Sequence, residues 1–217
     1  MKMDSVLFDL DGTFADTSVD MCNALNIVLR KNNFKIVDCA GLKTHISKGA
    51  IGIIEYASQI NGRPIDSSLL RAQFLQEYSE NTFVYTKTID GIDQVLEYFK
   101  KNNIKWGIVT NKHSKYAKKI LFGLNLTKKC ECLITGDMLE DAKPSPEGLL
   151  LAAKNMSIDV KNSVYIGDDS RDILAGKKAG MYTIAANFGF VNNEEDINTW
   201  GADKIICDPK ELKKLIT

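Results

Sequence analysis

The sequence lacks a net charge, because its 28 basic and 28 acidic residues cancel. It also lacks a long hydrophobic run. The apolar stretch near the N-terminus is about as long as one strand, and acidic residues interrupt it too early for a signal peptide or a spanning helix. The charge balance argues against nucleic acid or an anionic membrane surface as a partner. We therefore expect a cytoplasmic protein that binds neither nucleic acid nor membranes.

A complete set of zinc ligands is missing as well, although the chain has five cysteines and two histidines. Cys130 and Cys132 form a Cys-x-Cys pair, but no second Cys/His pair lies nearby to complete a zinc site. Alternation along a strand explains this pair better. In the cytosol we expect all five cysteines to be reduced thiols. They are Cys22, Cys39, Cys130, Cys132 and Cys207.

The sequence has no internal repeat or low-complexity run, and its hydrophobic fraction of 44% supports a folded core. Short apolar runs predict buried parallel strands, and helical patterns separate them. Ser170 is the predicted N-cap of the helix that follows the fourth run. This alternation predicts a doubly wound, Rossmann-like α/β core. The runs cover residues 6–10, 105–110, 132–135, 163–168, 183–186 and 204–207.

Residues 16–87 break the alternation. This segment contains at least three helical patterns and no convincing strand, and it is too long for a simple crossover between two strands. It therefore predicts an all-helical cap inserted into the core. The predicted domains are an α/β core formed by residues 1–15 plus 88–217, and a helical cap formed by residues 16–87.

Polar residues follow several of the predicted strands. An open parallel sheet binds ligands beyond the carboxyl ends of its strands, so these residues are expected to meet at one edge. A group of carboxylates there needs a cation, and oxygen ligands suit Mg²⁺. The residues at strand ends or on an adjoining loop are Asp9, Asp11, Gly12, Thr13, Thr110, Asn111, Lys112, Lys143, Asp168 and Asp169.

The Asp-x-Asp spacing after the first strand indicates acid chemistry. The chain leaves the strand towards Gly12, so Asp9 can face a substrate while Asp11 is slightly displaced. One carboxylate could attack and the other could move protons. Gly12 and Thr13 would offer backbone N–H groups to phosphate oxygens.

Four motifs in this order resemble those of the haloacid dehalogenase superfamily, and specifically its phosphoglycolate phosphatase-like members with a helical cap. FDLDGTFADT looks like the first motif and IVTNK like the second. AKPSPEGLLLA looks like the third and VYIGDDSRDILAGKKAGM like the fourth. The resemblance runs from the first strand to about Met181. It implies a phosphatase that works through an aspartyl-phosphate.

The resemblance also implies a role for each motif residue. Asp9 would be the nucleophile and a Mg²⁺ ligand, and Asp11 would be the general acid and base and bind the metal through its carbonyl. Thr110 would hydrogen-bond the phosphoryl group, with Asn111 beside it. Lys143 would neutralise the phosphoryl charge, and Asp168 would complete the metal site.

Two further acids follow from the fourth motif. Asp169 could share or replace the role of Asp168, since relatives vary here. Asp172 is expected to contact a metal ligand rather than the metal.

The predicted cap is expected to carry the specificity. The stretch LKTHISKGAIGIIEYA resembles the caps of phosphoglycolate phosphatases and of related N-acetylmuramic acid 6-phosphate phosphatases. Ser47, Lys48 and Gly49 would face the core, and Lys48 would contact a substrate carboxylate or hydroxyl. A simple helix-to-helix turn explains the same residues equally well. His45 and Arg63 are further candidates.

The substrate is predicted to be a small phosphorylated metabolite, with 2-phosphoglycolate as the first choice. N-acetylmuramic acid 6-phosphate, a sugar phosphate and a nucleotide stay open. A phosphomutase related to β-phosphoglucomutase is the nearest alternative, and a receiver-type signalling module is one from another class. A monomer and a homodimer are both compatible with the sequence.

Overall fold

The strands of the α/β part form one parallel sheet. The structure is a computed structural model that describes residues 3–62, 67–191 and 196–216. The strands of this sheet are β1 (Ser5–Phe8), β4 (Lys105–Thr110), β5 (Leu133–Thr135), β6 (Ser163–Gly167), β7 (Tyr182–Ala186) and β8 (Lys204–Ile206). They lie in the order β5-β4-β1-β6-β7-β8, and all neighbouring strands are parallel. The predicted doubly wound α/β class is confirmed.

Helices cover both faces of this sheet. Alternation along β1 sends Val6 and Phe8 to one face and Leu7 to the other, and each face has its own apolar cluster. The Val6 face packs against α5 (Ile92–Asn102) and α6 (Ser114–Gly123). The Leu7 face packs against α7 (Glu147–Met156) and α8 (Ser170–Ala179). A short C-terminal helix, α9 (Leu212–Leu215), completes the first layer.

Helices also make up most of the segment between β1 and β4. They are α1 (Ser18–Lys31), α2 (Cys39–Lys43), α3 (Gly49–Asn61) and α4 (Ser67–Glu80), and a 3₁₀ turn spans Ile46–Lys48. Their buried faces share one apolar cluster that contains Leu25, Ile53 and Phe74. Among the described residues, no helix combines the length and the apolar character that crossing a bilayer requires.

A two-stranded antiparallel ribbon lies where the chain enters and leaves this helical segment. It consists of β2 (Ala15–Asp16) and β3 (Lys87–Thr88). The expectation that the segment has no strand is therefore wrong at its ends, because two residues on each side are too few for a sequence pattern to show. The division into core and cap at these positions stays a prediction.

The buried carboxylate of Asp20 fixes the returning chain next to this ribbon. Asp20, on α1, accepts hydrogen bonds from the backbone N–H groups of Val84, Tyr85 and Thr86, at 2.9–3.1 Å, and from the Thr86 hydroxyl. These bonds satisfy both a buried charge and three backbone donors. They hold the end of the helical segment against its start.

The expectation that all five cysteines are reduced is wrong for one pair. Cys22 on α1 and Cys39 at the start of α2 form a disulfide, with their Cα atoms 5.5 Å apart. The packing of α1 against α2 brings these residues together, and compartment-based reasoning from the sequence could not anticipate that. Cys130, Cys132 and Cys207 are free thiols.

We predict that thiol titration of the denatured, unreduced protein finds three thiols, matching the three free cysteines, and five after reduction. Reduction, or Cys39→Ala, should lower the free energy of unfolding by about 2–4 kcal/mol, since the bond closes a loop with a sequence separation of 17. Urea unfolding measures this. The control is Cys207→Ala, which should lower each thiol count by one and change the free energy of unfolding by much less than about 2–4 kcal/mol. Five thiols before reduction would contradict the pairing.

Candidate active site

Polar side chains gather where three neighbouring strands end. Asp9 and Asp11 follow β1, Thr110 ends β4, and Asp168 follows β6. Because β1 lies between β4 and β6, these residues meet at one edge of the sheet. A cavity of about 300 Å³ opens there, and Asp9, Asp11, Thr110 and Lys143 all line it. Residues that are far apart in the sequence thus share one site.

Lys143 is held between two carboxylates. Its Nζ lies 2.7 Å from Asp9 Oδ1 and 2.6 Å from Asp172 Oδ1, and it donates to the Tyr165 hydroxyl at 2.9 Å. Burial lowers the pKa of Lys143, but Asp172 and Asp9 outweigh it and raise that pKa well above its ordinary value. The ammonium group therefore stays charged beside Asp9.

The acids at this edge repel one another and lie out of water. Burial raises the pKa of Asp9 to about 6, although Lys143 opposes that rise. Burial and the neighbouring Asp9 raise the pKa of Asp168 well above its ordinary value. Oxygens of Asp9, Asp168 and Asp172 lie within 4.8 Å of one another. An all-oxygen donor set of this kind fits a hard divalent cation such as Mg²⁺, which would also relieve the repulsion.

The two acids after β6 have different surroundings. Asp168 is buried and accepts hydrogen bonds from the Thr13 hydroxyl at 2.8 Å and the Phe190 N–H at 2.7 Å. Asp169 binds the guanidinium of Arg171, with Nε 2.7 Å from its Oδ1. Only the first of these two acids belongs to the carboxylate group around Asp9.

Asp169 is also the N-cap of α8, where Ser170 was predicted. Its side chain accepts from the Arg171 N–H, and the Asp172 side chain accepts from the Asp169 N–H, which together form a capping box. Ser170 is instead the first helical residue. Asp168, Asp169 and Ser170 are all residue types that cap helices. The sequence does not show that Asp168 lies near Asp9 and that Asp169 caps the helix.

Asp11, the second acid of the first motif, forms an ion pair with Lys112. Lys112 Nζ lies 2.9 and 3.0 Å from the two carboxylate oxygens of Asp11, and the Thr17 hydroxyl donates to Asp11 Oδ1 at 2.6 Å. Burial lowers the pKa of Lys112, but Asp11 outweighs it and raises that pKa to about 12. The Tyr78 ring, on α4, lies 4.9 Å from the same ammonium.

Sequence reasoning placed Lys112 at a strand end but missed this pairing. The sequence indicated a role for Lys112 only through its position directly after Thr110 and Asn111. It could not show the ion pair, because Asp11 is 101 residues away in the chain.

Gly12 uses its backbone N–H within the protein, whereas Thr13 uses its hydroxyl, which donates to Asp168. The Gly12 N–H donates to the Ala15 carbonyl at 2.9 Å in this structure, and the expectation that Gly12 and Thr13 offer N–H groups to a phosphate stays a prediction. The chain turns at Gly12, and the turn uses the Gly12 N–H as the donor of this hydrogen bond. Gly12 has φ of 82°, and a Cβ there would lie 2.2 Å from Asp168 Oδ2. This position therefore requires glycine so that Asp168 can approach the loop.

Asn111 supports Lys143. Its side chain donates to the Lys143 carbonyl at 3.1 Å and accepts from the Lys143 N–H at 2.9 Å. Asn111 lines the cavity as well. The paired bonds fix the backbone that carries the Lys143 side chain.

Two of the three residues of the predicted cap loop reach the cavity. Ser47 and Gly49 line it, whereas Lys48 is exposed and outside the lining. His45 stacks on Tyr56, with ring centroids 4.5 Å apart. Arg63 lies outside the described residues. Arg171 donates to the carbonyl of Ser47, which connects the 3₁₀ turn to the polar edge of the sheet.

Comparison with known proteins gives a consistent result. A family model described as haloacid dehalogenase-like hydrolase matches residues 6–186. An N-acetylmuramic acid 6-phosphate phosphatase from Pseudomonas putida is 35% identical, over 100% of this chain and 97% of its own length. A phosphoglycolate phosphatase from Xanthomonas campestris pv. campestris is also 35% identical, over 96% of this chain and 94% of its own length.

A solved structure extends this to the whole fold. The crystal structure of a predicted phosphoglycolate phosphatase from Haemophilus somnus superimposes with a TM-score of 0.89 at 22% identity, over 100% of this chain and 99% of that one. At this identity the likeness concerns the fold alone.

We predict that Lys112→Met lowers kcat/KM for alkyl phosphates by about tenfold or more, because Asp11, the predicted proton donor, loses the two charge-assisted hydrogen bonds that position it. 4-Nitrophenyl phosphate should lose less, since its leaving group needs little protonation. Steady-state kinetics on both substrates measures this. Lys115→Met, which removes an exposed ammonium 5.9 Å from the Tyr116 ring centroid, is the control. Equal losses on both substrates would remove Lys112 from the positioning of Asp11.

Proposed function

The chain belongs to the haloacid dehalogenase-like hydrolase family and is a phosphatase. We propose that it hydrolyses a small phosphate monoester, with Mg²⁺, through an aspartyl-phosphate on Asp9. The observation that carries the proposal is the meeting of Asp9, Thr110 and Lys143 in one cavity. We also propose that residues 16–87 form the cap over a core of residues 1–15 plus 88–217.

In the first step, Asp9 attacks the phosphorus atom and the alkoxide departs. Lys143, 2.7 Å from Asp9 Oδ1, holds this carboxylate in place and offsets the repulsion between it and the phosphate dianion. The Thr110 hydroxyl, which lies in the same cavity, donates to a phosphoryl oxygen. The backbone clamp from Asn111 keeps Lys143 at this distance.

Asp11 moves the protons. It protonates the departing alkoxide and then takes a proton from the water that hydrolyses the aspartyl-phosphate. Lys112 and Thr17 hold its side chain for both tasks.

The metal would be held by the side chains of Asp9 and Asp168 and by the backbone carbonyl of Asp11. Mg²⁺ at this position supplies charge neutralisation for the transferring phosphoryl group. Asp172 is engaged by Lys143 and by the start of α8, so its part is to position Lys143.

Two substrates are candidates. The sequence predicts 2-phosphoglycolate, and relatives with that name cover nearly the whole chain. N-acetylmuramic acid 6-phosphate is the second candidate, because a relative of equal identity bears that name.

We predict that Asp9→Asn lowers kcat by roughly 10³-fold or more on every substrate, because the nucleophile is lost. A phosphate-release screen over phosphorylated metabolites with Mg²⁺ measures this and also ranks the substrates. Phosphate release without a sugar bisphosphate activator separates a phosphatase from a phosphomutase. Substantial activity in the variant would exclude Asp9 as the nucleophile.

Mg²⁺ should raise the melting temperature of the wild-type protein, and chelation should abolish activity that Mg²⁺ restores. Asp168→Asn should weaken both responses, because a metal ligand is lost. Asp169→Asn is the matched control: it removes a neighbouring charge engaged by Arg171 and leaves an N-capping residue, so the Mg²⁺ response should remain. A response that disappears only in Asp169→Asn would assign the ligand to that residue.

A further inference from the structure

The helical segment gives the cavity an apolar wall. We call this the cap wall, and its residues come from α1, the 3₁₀ turn, α3 and α4. Its side chains would contact the part of a substrate that is not phosphate. They are Met21, Ile46, Ile53, Phe74, Leu75 and Tyr78.

Arg71, on α4, lines the cavity beside this wall and has no ion pair with any described residue. The hydroxyl oxygens of Ser47 and Tyr78 are themselves buried, and Tyr78 lies against the Lys112 ammonium. Arg71 is exposed, so its guanidinium is the polar group of this wall that a ligand can reach.

Arg71 differs in this respect from the other lysines and arginines of the lining. Lys112 is paired with Asp11, Lys143 with Asp9, and Arg171 with Asp169. These three cations belong to the catalytic edge and are neutralised there. The positive charge of Arg71 is therefore available for an anionic group of the substrate other than its phosphate.

The cavity is also large for a two-carbon substrate. Its volume of about 300 Å³ reaches the lower end of the range for pockets that bury drug-sized ligands. The two-carbon glycolate part of 2-phosphoglycolate would fill only part of this volume.

We infer that the substrate is a phosphate monoester with a carboxylate that Arg71 binds and a larger body with an apolar face that lies on the cap wall. This rests on the proposed function of the same site. N-acetylmuramic acid 6-phosphate has these features: a lactyl carboxylate, an acetyl methyl group and a sugar ring.

A comparison of two amino-sugar phosphates measures what the substrate carboxylate contributes to kcat/KM. N-acetylglucosamine 6-phosphate has the same sugar, acetyl group and phosphate as N-acetylmuramic acid 6-phosphate but lacks the lactyl ether. The wild-type kcat/KM should be about tenfold or more higher for the muramic compound, which is what one charge-assisted contact at an exposed arginine provides. It should also exceed that for 2-phosphoglycolate. A preference for 2-phosphoglycolate, or no turnover of the muramic compound, overturns the inference.

Arg71→Gln tests the residue itself. It should lower kcat/KM for the muramic compound by about tenfold or more, mainly by raising KM, and lower kcat/KM for N-acetylglucosamine 6-phosphate far less. Arg71→Lys should restore part of the preference. Lys48→Gln is the matched control, since it removes a cation of the helical segment that is exposed and outside the cavity lining. Equal losses on both sugars in Arg71→Gln, or loss of the preference in Lys48→Gln, contradict the assignment.

The two proposals fail in different ways. If Asp9→Asn is inactive while Arg71→Gln keeps the wild-type preference, the reaction stands and the carboxylate contact is wrong. If Asp9→Asn keeps its activity, the proposed reaction itself is wrong.

Discussion

The buried ion cluster around Lys143 is the constraint on which the site depends. One ammonium group lies within 2.7 Å of a carboxylate oxygen of Asp9 and of Asp172, and all three side chains are almost entirely removed from water. Each of these charges alone would cost several kcal/mol to bury, so removing one leaves the others uncompensated. Tyr165 and the Asn111 clamp add hydrogen bonds that fix the cluster. Asp9, the proposed nucleophile, is thereby oriented before a substrate arrives.

The helical segment is tied to this edge by polar contacts as well as by packing. Arg171 binds the carbonyl of Ser47, and the Tyr116 hydroxyl donates to the Leu75 carbonyl at 3.1 Å. The Tyr78 ring lies over Lys112, the partner of the proposed acid and base. Tyr78 of the cap wall is therefore in contact with Lys112, which holds the proposed proton donor Asp11. We expect a substitution on one side of this contact to change the geometry on the other side.

Family membership leaves the choice of substrate open. Relatives named for two different substrates are equally similar to this chain, at 35% identity. The polar edge around Asp9 cannot distinguish the two compounds, because both present the same phosphate. We expect the difference to come from the size and apolar surface of the cap wall, with Arg71 beside it.

The sequence by itself determined the α/β class, the place of Asp9, Asp11, Thr110 and Lys143, and the helical character of residues 16–87. It could do so because buried strands leave apolar runs, and parallel strands bring their carboxyl ends to one edge. Only the tertiary structure decided what depends on side-chain direction and on residues distant in the chain. It paired Lys112 with Asp11, joined Cys22 to Cys39, and made Asp169 a helix cap rather than a neighbour of Asp9. It also put Arg71 rather than Lys48 at the cavity, because the packing of the helices decides which of their residues line it.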